Sequence, residues 1–157
     1  MLDVDRTEWV RKLLMAGERC IDVGCGTSPQ NIIRYDQHIC VEPNPVSVCW
    51  LERRAFNVRS MRAQEVLPDL APSTAVFLLD VLHCLTLDDA AAVLALAKRK
   101  AVLHLIVAEP FAPATNGSDL WNRARSIWRS DMLGNEPGWQ HKETHAGFVS
   151  VLSWLPP

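Results

Sequence analysis

Apolar residues in this chain fall into two kinds of stretch: short solid runs, and longer segments with helical spacing. The solid runs cover residues 19–23, 38–42, 75–80 and 101–109, with a weaker one at 57–61. Each is bounded by turn residues and rich in Val, Ile, Leu or Phe, which predicts buried strands. Helical spacing appears at 7–16, where Trp9, Val10, Leu13 and Leu14 share a face and Gly17 supplies a stop. It returns at 46–54 and at 87–99. Pro29 opens a further short helix to about Tyr35. Thr86 is a suitable N-cap for the helix at 87–99, with Asp88 and Asp89 in its first turn. Strands alternating with helices predict an α/β fold with a doubly wound, mostly parallel sheet and helices on both faces. After Glu109 the pattern weakens to a loop through 117, a helix over 119–132 capped by Ser118, and a Gly/Pro-broken loop over 133–144. One last strand is predicted at 146–154, and there is no internal repeat.

The most informative stretch is Cys20-Ile21-Asp22-Val23-Gly24-Cys25-Gly26-Thr27-Ser28. A buried strand ends there at a turn carrying two glycines, which tolerate positive φ and have no Cβ to obstruct a ligand. The helix predicted next would aim its N-terminal amides at the same crevice. Glu42 ends the second strand, and adjacent parallel strands bring that carboxylate beside the glycine turn. A fixed acceptor there can take both hydroxyls of a ribose, so a nucleotide-like ligand is expected at the strands' carboxyl ends.

Taken together, Ile21-Asp22-Val23-Gly24-Cys25-Gly26, Glu42 and Phe77-Leu78-Leu79-Asp80-Val81-Leu82-His83-Cys84-Leu85 resemble three segments of the class I S-adenosylmethionine (SAM)-dependent methyltransferases, in that family's order. The resemblance spans residues ~18 to 110. It implies a seven-stranded Rossmann-like sheet with SAM across the carboxyl ends of the strands, and methyl transfer as the activity. It further implies that Asp22 orients the loop and approaches the methionine amine. Gly24, Cys25 and Gly26 would pass the ligand, and Glu42, followed by Pro43, would hold the ribose. Asp80 and Val81 would border the methyl-donor end.

The chain departs from that pattern in three places. Ser28 stands where the family has a third glycine. The third-strand segment reads Met61-Arg62-Ala63-Gln64-Glu65, with Arg62 where the family has an Asp near the adenine amine, leaving the Ala63 backbone or the Gln64 amide for that contact. Finally, only about 20 residues remain for the family's closing hairpin. Either the sheet is shortened there, or a partner subunit in a homodimer completes it.

Other residues carry less. His83 follows the fourth strand and its imidazole suits a general base, although SN2 transfer from a sulfonium does not demand one. His141 and His145 are spaced as helical metal ligands, but Gly134, Pro137, Gly138 and Gly147 argue against a helix there, and no metal is expected. That late loop weakly resembles one in small bacterial and phage-borne methyltransferases. Trp121, Arg123, Arg125, Trp128 and Arg129 form a basic aromatic helix that reads as a half-buried surface element; RNA is the other occupant it suits.

Composition supplies the remaining bounds. At 157 residues a single domain over 1–157 is expected. The net charge of −2 favours a small-molecule or glycan acceptor over nucleic acid. Five cysteines lack metal-ligand spacing, and no apolar run reaches transmembrane length, so a cytoplasmic protein is expected. Two competing readings remain. A nicotinamide- or flavin-binding module would need Gly or Ala at position 29, where Pro29 stands. A non-catalytic or partner-dependent SAM-binding relative would share every cofactor residue named above.

Overall fold

The computed structural model of the protein describes residues 19–27, 38–109, 139–143 and 150–154. Five parallel strands form most of its sheet: β1 (Cys20–Val23), β2 (His38–Val41), β3 (Asn57–Arg59), β4 (Ser73–Leu79) and β5 (Ala101–Glu109). β6 (Trp139–Glu143) and β7 (Ser150–Trp154) complete it as an antiparallel hairpin. The strand order is β3-β2-β1-β4-β5-β7-β6, with β7 antiparallel to both β5 and β6.

The alternation of side chains along the strands divides the core. Ile21, Val23, Val41, Val76, Leu78, Leu105 and Val107 lie on one face. Against them packs α3 (Leu87–Lys100) through Ala90, Val93, Leu94 and Ala97, the stripe that a helical period requires. Register places Cys20 beside His38, Asp22 beside both Cys40 and Phe77, and Phe77 beside Ile106 on the other face, which is also buried.

The helices begin where local chemistry starts them. α1 (Pro45–Glu52) has Asn44 as N-cap, its Oδ1 accepting from the Val46 N–H at 2.9 Å, and proline in the first turn. Thr86 caps α3 by accepting from the Asp89 N–H at 3.2 Å. α2 (Ala63–Val66) is a single turn continued by a 3-10 turn at Leu67–Asp69. The Lys100 Nζ at the end of α3 donates to the carbonyls of Pro68 (2.9 Å) and Leu70 (2.6 Å), fastening that helix to the entry of β4.

Two expectations are corrected. The strand expected over 57–61 stops at Arg59, because the chain leaves the sheet at 60–62 to enter α2. The sheet is neither shortened nor in need of a partner: residues expected to be loop form β6, pairing Trp139 with Trp154 through Glu143 with Ser150. An edge strand needs a partner on one side only and can be polar, so no apolar run announces it. The helices expected at 7–16, 29–35 and 119–132, together with Ser28, His145 and the basic aromatic residues, lie outside the described residues. Among the described residues, no helix is long and apolar enough to cross a membrane.

Candidate functional site

Parallel strands end together, and the site is built where β1, β2 and β4 do so. The Gly24 N–H donates to the Val41 carbonyl at 2.7 Å, turning the chain away from β1. Gly24 (φ +66) and Gly26 (φ +58) both take the left-handed region, yet for different purposes. A Cβ on Gly24 would collide with Val81 Cγ2, so the close approach there is to the protein's own chain. Among the described residues, a Cβ on Gly26 would meet nothing within 4 Å, and this is the glycine with space beside it.

Glu42 fixes this turn. Its side chain is buried, Oε2 accepts from the Gly26 N–H at 2.8 Å, and Oε1 accepts from the Asn44 N–H at 2.8 Å. Each carboxylate oxygen keeps a second lone-pair direction for another donor. A cleft of about 220 Å³ adjoins the turn. Val23, Gly24, Val41 and Pro43 form one side of its lining; Arg62, Ala63 and Gln64 come from the start of α2. The segment from β4 into α3 contributes Val81, Leu85, Thr86 and Asp89.

Five of the residues expected from sequence, Gly24, Pro43, Ala63, Gln64 and Val81, therefore meet in one cleft, with Gly26 and Glu42 hydrogen-bonded beside it. Cys25 is half-buried in the turn, its Sγ 3.7 Å from the Gly26 carbonyl. Asp80 is exposed at the end of β4 with φ 57, a conformation that re-aims the chain toward Val81. His83 is 4% exposed and does not line the cleft. Asp22 is buried within β1, its Oδ2 3.4 Å from His38 Nε2.

That last contact was not anticipated. His38 is 1% exposed, and by strict geometry neither imidazole nitrogen has a hydrogen-bond partner among the described residues. The 3.4 Å approach is thus an electrostatic contact of two buried groups. Burial pulls the His38 pKa down, but Asp22 and Cys40 beside it outweigh this and hold it at about 9. The Cys25 thiol and His38 hold Cys40 low, at about 6, while Cys25 itself is pushed up, chiefly by Cys40 and by burial. The available signal was register: a His opening one apolar strand beside an Asp inside its neighbour. Asp89 and Thr86 in the cleft were also missed as site residues, having been read only as helix-start chemistry.

The sheet order, with one antiparallel strand inserted before the edge, and the cleft at the carboxyl ends of β1, β2 and β4 define the class I SAM-dependent methyltransferase fold. No family model matches the chain, and no curated protein matches it. Solved structures do. Magnesium protoporphyrin IX methyltransferase (ChlM) from Synechocystis, with bound S-adenosylhomocysteine (SAH), superposes with a TM-score of 0.69 at 17% identity, over 98% of this chain and 81% of that one. A SAM-dependent methyltransferase from Thermotoga maritima gives 0.68 at 16%, over 95% and 86%. The O-methyltransferase NcsB1 from neocarzinostatin biosynthesis, in complex with SAM and 2-hydroxy-5-methyl naphthoic acid, gives 0.68 at 19%. The match covers 94% of this chain and about half of NcsB1, 52%. At these identities the likeness is one of fold.

Proposed function

We propose that the chain is a methyltransferase that binds SAM in this cleft and methylates a small-molecule acceptor. The observation that carries this is the buried Glu42 carboxylate, hydrogen-bonded to the open Gly26 turn at the rim of the cleft. These residues fit the cofactor: Gly26 has space where a Cβ would be, and Glu42 has lone pairs left for two ribose hydroxyls. Gly24 and Pro43 shape the same wall, and Cys25 lies in the turn beside it. Ala63 and Gln64 face the base, and Asp80 and Val81 border the methionine end. Asp22 acts indirectly, tying β1 to the start of β2 through its contact with His38.

When bound, SAM supplies an electrophilic methyl on a sulfonium. That methyl would pass in line to an acceptor's lone pair as the carbon–sulfur bond breaks, leaving a thioether, with the acceptor's proton released to solvent. Alignment provides most of the acceleration, so the burial of His83 removes nothing the chemistry requires. The acceptors named with two neighbours, a porphyrin and a naphthoic acid, support a small molecule here. The five free thiols are consistent with the cytoplasm, and we read residues 1–157 as one domain. The non-catalytic reading keeps one specific observation, Arg62 in the cleft where the resemblance expects an acid.

Isothermal titration with SAM, SAH and NAD tests the reading. Micromolar binding of the first two without NAD is expected, and Glu42→Ala should weaken SAM binding at least 100-fold, since two hydrogen bonds to a charged acceptor disappear. Unchanged affinity in that variant would sink the ribose assignment. Turnover in a screen of hydroxylated aromatic acceptors separates enzyme from binder.

A further inference from the structure

The adenine side of the cleft presents a chemical mismatch. Arg62 stands where the resemblance places an acid, and a guanidinium has five donors and no acceptor, so it cannot receive a hydrogen bond from an exocyclic amine. An acid nevertheless lines the same cleft, from a different element. Asp89 lies in the first turn of α3, and its carboxylate is held on both sides. Oδ1 accepts from Gln64 Nε2 at 3.2 Å, and Oδ2 accepts from Thr86 Oγ1 at 2.9 Å. Both donors are neutral and both residues also line the cleft. Helix capping accounts for the bond to Thr86. It does not account for the bond to Gln64, which lies 25 positions away on α2.

Building on the SAM reading, we propose that Asp89 is the base-recognising residue of this cleft, accepting a hydrogen bond from the 6-amino group of adenine. Gln64 and Thr86 fix the carboxylate in advance, so little side-chain freedom is lost on binding. Each oxygen retains one lone-pair direction after these two bonds. The acid that selects adenine thus enters from the helix following β4 instead of the segment following β3.

Titration of SAH and its 6-oxo counterpart, S-inosylhomocysteine, into the wild type, Asp89→Ala and Asp88→Ala tests this. The wild type should favour SAH by about 10- to 100-fold, the range for a hydrogen bond to a charged acceptor. Asp89→Ala should lose about 10-fold or more in SAH affinity while S-inosylhomocysteine stays within about twofold, so that discrimination collapses. Asp88→Ala, which removes the neighbouring charge on the same turn, should behave as wild type. Unchanged discrimination in Asp89→Ala overturns the assignment, as does an equal loss in Asp88→Ala. A wild type that binds neither compound would instead bring down the SAM reading, and this inference with it.

Discussion

At Gly24 an added Cβ runs into Val81 Cγ2 on a backbone with φ +66, whereas at Gly26 it enters open space with φ +58. Gly24→Ala therefore combines left-handed strain with overpacking and should cost about 3 kcal/mol in urea denaturation. Gly26→Ala carries the strain alone and should cost about 1 kcal/mol, its larger effect falling on ligand affinity. Adding Val81→Ala to Gly24→Ala should recover the packing part only. The buried polar residues make a second case. His38, raised to about 9, contributes stability that is complete below about 6.5 and lost as pH rises through 9. Cys40, lowered from 9.0 to about 6, contributes with the opposite sign: its share is complete above 9.0 and lost as pH falls through 6. The two slopes offset one another across the same interval, so the wild-type Tm should be nearly flat between pH 6.5 and 9. Cys40→Ala removes one slope together with part of what holds His38 up, so the fall in Tm left as pH rises across that window is the share that Asp22 supplies against burial. A flat profile in the variant would show that His38 does not titrate as Asp22 dictates. Glu42 and Gly26 were legible because each residue type declares its use; His38 was not, because a lone histidine declares nothing until register supplies its neighbour.

Among the elements, α3 was legible to within a residue because its signals are local. Thr86 caps it, Asp88 and Asp89 suit the positive end of its dipole, and Lys98, Arg99 and Lys100 suit the negative end. Thr86→Ala should lower stability by about 1 kcal/mol in chemical denaturation. β6 is the reverse case. Trp139-Gln140-His141-Lys142-Glu143 carries no alternation, and β7 imposes its strand conformation from outside. α2 was likewise unread, since one turn of helix is too short to show a period.

At the scale of the molecule, the alternating pattern was enough for a parallel sheet, and parallel pairing was enough to put Glu42 beside the glycine turn, because Val23 and Val41 end level. The insertion of β7 between β5 and β6 is a long-range pairing that no window of sequence contains. The same limit hid Asp89, whose place in the cleft depends on how the crossover after β4 returns α3 to the sheet. β1 lies in the middle of that sheet, flanked by β2 on one side and by the much later β4 on the other. As the chain leaves the ribosome, β1 and β2 emerge first, with one flank of β1 bare until β4 follows. Val81, the seat for Gly24, comes later still. A nascent chain stalled before Val81 would carry its glycine turn without that seat, so the cleft closes from the middle of the sequence and not from its beginning.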